Sequence, residues 1–153
     1  MRFAIILALL ISVSALAQIP KEVEQEIESL NEQIAASGNI REFVERIVEN
    51  LNNRECRQLA ELLSPKSKYI DDVEYFYAKC VVNTRDFGKI GKYEIERMAY
   101  MPLSNNGMPP LIPVQKLSLA EGRELSIHLY PSGDRFEIVD ISFVYGRKRP
   151  LSW

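Results

Sequence analysis

The chain has 153 residues, 46% of them hydrophobic and 26% charged, with two Cys, one His and a net charge of −2. This is the composition of an ordinary globular protein. It excludes a disordered chain, a collagen-like repeat, a disulfide-dense mini-scaffold, a long coiled coil and, with only one apolar run standing out, a polytopic membrane protein. Nineteen basic against 21 acidic side chains leave no basic footprint for nucleic acid.

Residues 1–17 read as an export address. Arg2 precedes nine uninterrupted apolar residues, Phe3 to Ile11, and Ala15-Leu16-Ala17 supplies the small-residue cleavage pattern, so cleavage is expected before Gln18. The alternative, a membrane anchor, needs roughly 20 apolar residues, and Ser12 and Ser14 interrupt this run. The first Cys is Cys56, too distant for a lipid anchor. The mature chain would hold 136 residues, enough to bury a core without staples, and no membrane span. It would be periplasmic or secreted.

Residues 18–38 are expected to form an acidic helix. Pro20 opens it, and Val23, Ile27, Leu30 and Ile34 make a narrow apolar stripe before Ser37-Gly38. Residues 39–146 are expected to form the main domain. Asn39, with Glu42 three residues later, resembles a capping box. It opens a helix whose Ile40, Phe43, Val44, Ile47, Val48 and Leu51 form a broad buried face. A short helix from Cys56 to Leu63 follows, then one capped by Asp71 with Glu74 and running to about Thr84. Charge divides along the chain. Residues 18–64 carry ten Glu against five cations, whereas residues 65–153 carry 13 cations against 11 acids.

Cys56 and Cys80 both fall on apolar helix faces. In an exported chain they suggest one disulfide; two buried free thiols are the alternative. Two Cys and one His supply no credible soft-ligand metal set, and no cofactor is expected.

Beyond Gly88 the period changes. Lys92–Met101 and Leu111–Leu119 read as strands around a Pro- and Gly-rich loop. Arg123–Tyr130 and Phe136–Tyr145 read as a hairpin with a five-residue loop. Helices first and an antiparallel meander afterwards define an α+β fold, with the helices on one face of the sheet. If Leu125, Ile127 and Leu129 face the helices together with Val139, Ile141, Phe143 and Tyr145, then Ile127 lies opposite Val139. The outer face would then display His128, Tyr130, Phe136 and Ile138. Residues 147–153, Arg-Lys-Arg-Pro-Leu-Ser-Trp, form a basic tail.

From Ile40 to Tyr145 this order resembles the nuclear transport factor 2-like, or cystatin-like, roll. The resemblance is carried by the amphipathic helix, by Leu62-Leu63-Ser64-Pro65, by the helix with Tyr75-Phe76, and by Phe87-Gly88-Lys89-Ile90-Gly91-Lys92-Tyr93-Glu94-Ile95 leading into the sheet. It implies a curved sheet wrapped around a helix as a cone, whose open end can hold a ligand. Phe76, Tyr77, Phe143 and Tyr145 are the candidates for its lining.

No catalytic constellation emerges. His128 is the only His, placed on the outer face with Asp140 as a diagonal neighbour. Asp71 and Asp72 are assigned to capping and solvent, and Glu94 and Glu96 to an edge-strand surface with Met98 and Tyr100. The Ser residues have no His partner for nucleophilic catalysis, and no phosphate loop exists. The expected function is therefore binding, to another envelope or secreted protein or to a second copy, with an inhibitor, immunity or assembly role compatible. The outer face of His128, Tyr130, Phe136 and Ile138 is the candidate surface. A small apolar ligand in the cone, or an isomerase- or hydrolase-like activity using a cone carboxylate or Tyr, is the alternative.

Overall fold

A computed structural model describes residues 19–103 and 110–146. The expected signal segment, most of the Pro-rich loop and the basic tail lie outside the described residues. Among the described residues, four helices precede five strands: α1 Lys21–Ala36, α2 Ile40–Asn52, α3 Cys56–Ala60, α4 Val73–Phe87, β1 Tyr93–Ile95, β2 Ala99–Pro102, β3 Leu111–Leu119, β4 Glu124–Ser132 and β5 Arg135–Val144. The strands form one open, curved antiparallel sheet in the order β1-β3-β4-β5, with β2 also on β3, and the helices cover one face. This is an α+β fold.

The helix starts follow local chemistry. The Asn39 side chain accepts from the amides of Arg41 (3.0 Å) and Glu42 (3.4 Å), and its own amide donates to Glu42 (3.0 Å). Gly38 supplies the positive φ, +100°, that separates α1 from α2. α4 is capped by Asp72, which accepts from the Tyr75 amide at 3.0 Å, and not by Asp71 as expected. α3 ends at Ala60, short of Leu63, because the chain is diverted to the sheet. The Ser64 amide donates to the Ile138 carbonyl (2.7 Å) and the Ile138 amide to that of Leu62 (2.8 Å), so a parallel bridge pairs the edge of β5.

The core is the expected apolar face of α2, with Val44 and Ile47 fully buried, packed on Leu117, Leu125, Ile127 and Leu129, which are also fully buried. Burying each such side chain contributes roughly 1.5–3 kcal/mol. α1 packs against β3 and β4 through buried Leu30. Its Ser37 hydroxyl, which also bonds Gln33, donates to the Gly133 carbonyl at 3.1 Å, tying the helix end to the hairpin turn.

Two expectations about the sheet are corrected. The single strand over Lys92–Met101 is two strands. Ile95 pairs with Leu117 and Ala99 with Val114, so the β1–β2 side has one residue too many for a continuous ladder. Residues 96–98 absorb it, with the Glu96 amide on the Lys116 carbonyl and the Gln115 side chain on the Glu96 carbonyl.

The β4–β5 hairpin also differs from its expected register. Its loop is two residues, Gly133-Asp134, with Gly133 at φ +66°, in place of five. Ile127 faces Ile141 and Leu125 faces Phe143. His128 faces Asp140, but Leu129 faces Ile138, so Val139 is the extra residue of a bulge. Beyond it the inward set on β5 passes from odd to even numbers. Ile138 (0% exposed) and Phe136 (3%) therefore lie in the core and not on the outer face. Strict alternation could not place them, because one bulged residue exchanges the faces of everything after it.

Candidate functional site

The disulfide unites the two expected cysteines. Cys56 opens α3, Cys80 sits mid-α4, both are buried, and their Cα atoms are 5.9 Å apart at bonding distance of the sulfurs. The bridge ties α3 to α4.

The four residues expected to line a cone cavity do not share one. Phe76 is a core residue packed on Tyr69 (ring centroids 5.4 Å apart). Tyr77 is half-buried beneath the Arg57 guanidinium, 4.4 Å from its ring. Phe143 stands edge-on to Phe87 at 5.1 Å. Tyr145 is half-exposed and donates to the Asn83 side chain at 3.0 Å. Only Phe76 and Phe143 touch the small void between α4 and β5. It is about 10 Å³ and is bordered also by Tyr69, Lys79, Asn83 and Asp140. That is space for about one water.

Around that void the structure assembles polar groups that sequence reasoning missed. Tyr69 is buried, its hydroxyl accepts from Lys79 Nζ, and the ammonium groups of Lys68 and Lys79 each lie 5.0 Å from its ring centroid. Residues 64–72 have no periodicity that announces this. Their path is set by long-range bonds, such as the Ser67 hydroxyl donating to the Val139 carbonyl at 2.7 Å.

Of the outer-face candidates, His128 and Tyr130 remain at the surface, half-buried. Lys66 Nζ sits 4.9 Å from the Tyr130 ring. His128 lies directly opposite Asp140, not diagonal to it, and Lys68 holds the Asp140 carboxylate at 3.0 Å. Burial lowers the His128 pKa below its usual value; Asp140 opposes this and Lys68 reinforces it. Glu96 is occupied by the Ser118 hydroxyl and by Lys116 at 3.8 Å, and Lys116 also meets Glu124 at 3.3 Å. Among the described residues no three His, Cys, Asp or Glu side chains converge as a metal site, and no helix is long and apolar enough to cross a membrane.

A wider concavity lies elsewhere. A groove of about 1090 Å³ runs between the start of α2 and the free edge of β1. Arg41 and Glu45, paired at 3.1 Å, form one wall, and Gly91–Ile95 with Ser118–Ala120 form the other. Tyr93 contributes a half-buried ring whose phenol pKa is raised by burial and then by Glu45, with Arg41 opposing. A smaller concavity of about 400 Å³ separates the α2 N-terminus from Asp134–Phe136.

No family model, curated protein or solved structure matches the chain.

Proposed function

We propose that this chain is an exported, non-enzymatic binding protein of nuclear transport factor 2-like kind that engages another envelope or secreted protein. The observation that carries the reading is the packed interior. Among the described residues, side chains between α4 and β5 leave a void of only about one water, and we place recognition on the exterior. Polar groups converge at that void, yet a substrate has no room beside them, which weighs against a ligand or a reaction at that place.

The helix that precedes the roll supplies the favoured exterior surface. α1 buries Leu30 and presents Glu22, Glu24, Glu28 and Glu32 to solvent. A partner with a basic surface matches this face, and carboxylates of one sign speed its approach. The buried disulfide and the apolar, Ala-x-Ala-ending start of the chain support an oxidising compartment.

The test has two parts. Mass analysis of the protein from its own host should show a chain beginning at Gln18 with no free thiol. The same tagged protein should retain a partner in stoichiometric amount from the envelope or medium, and lose it when Glu24, Glu28 and Glu32 are changed to Lys. Retention of the partner by that variant rejects the helix surface; absence of any stoichiometric partner rejects the reading.

A further inference from the structure

We infer that the open edge of β1 pairs with the same edge of a second copy of this chain, antiparallel about a two-fold axis that sets the two Tyr93 residues opposite each other. This pairing uses none of the α1 glutamates assigned above to another protein, so the two readings stand or fall separately.

The backbone supplies the template. The Glu96 amide donates to the Lys116 carbonyl at 3.0 Å, and Glu94, in step with it, faces Ser118. The amides and carbonyls of Tyr93 and Ile95 therefore point away from β3, and among the described residues no strand receives them. Such groups are ready to pair with another strand.

The adjoining strand is protected where β1 is not. The Leu103 amide donates to the Pro110 carbonyl at 2.9 Å, which turns Tyr100 and Pro102 outward in β2. Pro102 has no amide to offer, and the Tyr100 hydroxyl is tied to Asn31 of α1. β1 is also held in place. The Asn52 side chain donates to the Ile90 carbonyl (2.9 Å) and accepts from the Ile90 amide (2.8 Å), fixing the chain just before the strand.

Charge selects a second copy as the occupant. The groove beside β1 carries two cations, Arg41 and Lys92, and two carboxylates, Glu45 and Glu94, so it favours neither a basic nor an acidic segment. Arg41 and Glu45 satisfy each other at 3.1 Å, which leaves exposed Lys92 and Glu94 on either side of Tyr93. Alternation puts these two on one face of the strand. In an antiparallel pair centred on Tyr93, Lys92 of each copy lies opposite Glu94 of the other, so the edge meets its own complement twice. Centring the pair on Glu94 would set like carboxylates against each other. An edge of three residues buries little surface, so the dimer is weak and reversible.

Sedimentation equilibrium of the purified protein at rising concentration should show monomer–dimer exchange. Lys92→Glu and Glu94→Lys each put like charges at both contacts, and each should weaken association about tenfold while circular dichroism stays unchanged. Mixed in equal amounts, the two variants regain both opposite-charge pairs and should associate as the wild type does. A wild type that stays monomeric throughout overturns the inference. So does a dimer indifferent to both reversals, or a mixture no tighter than its components.

Discussion

His128 stands directly opposite Asp140 on the β4–β5 ladder, at the last regular pair before the bulge, and Lys68 clamps the same carboxylate from the segment that pairs with β5. The three groups bind the outer hairpin face to residues 62–70. Of the three, His128 makes a pH-dependent contribution to stability. Burial holds the His128 pKa below the value of about 6.5 expected in the unfolded chain. The unfolded state therefore takes up its proton first as pH falls, and stability due to the neutral imidazole is complete above about 6.5 and declines below it. Thermal melts between pH 7.5 and 5 should show the midpoint falling, and His128→Gln should flatten that part of the profile. A parallel profile in the variant would assign the slope to other groups.

The register makes opposite demands on two neighbouring candidates. Ile138→Ala empties a fully buried site facing Leu129 and is expected to cost about 2–5 kcal/mol. Tyr130→Ala removes a half-buried ring stacked under Lys66 and should cost about 1 kcal/mol or less. Urea midpoints compare them directly. Equal, small losses would restore the unbulged register with Ile138 outside.

One hydroxyl is a principal tie of the segment from Ser64 to Tyr69. Ser67 is buried, donates to the Val139 carbonyl and accepts from the Tyr69 amide. Ser67→Ala leaves both buried groups short of a partner, at a cost of about 1–3 kcal/mol. Hydrogen exchange should show faster opening of residues 64–70 before global unfolding. Unchanged protection there would contradict the role given to this bond.

Joining Cys56 to Cys80 closes a loop of 24 positions, and its loss should lower stability by about 3 kcal/mol. For a chain of this size that corresponds to roughly 10 °C in the melting midpoint. Cys56→Ser with Cys80→Ser, compared with the wild type with and without reductant, checks it. Two reactive thiols in the unreduced, unfolded wild type would show that the cysteines are not bridged.

Much of this architecture was legible from pattern alone. The α2 stripe and the inward Leu125, Ile127 and Leu129 follow from local periodicity, the Asn39 cap from its capping chemistry, and the Cys56–Cys80 bridge from two cysteines on apolar faces of a chain expected to be exported. Where one residue is inserted, periodicity misleads. Val139 reverses the faces of Phe136 and Ile138, and residues 96–98 divide a strand whose halves both alternate well. The Tyr69–Lys79 cluster was hidden for a different reason: its members are assembled by tertiary bonds from an aperiodic segment and a helix. The groove at β1 likewise exists only once α2 and the sheet edge are placed together.

Recognition of another protein from the exterior of the fold is best checked by paired capture. Tagged wild type and the Glu24→Lys, Glu28→Lys, Glu32→Lys variant would be recovered from the envelope or medium of the native host and weighed by native mass spectrometry. A stoichiometric protein partner is expected on the wild type and is lost from a variant that remains folded. A small molecule retained on the wild type, with no protein partner, would contradict it.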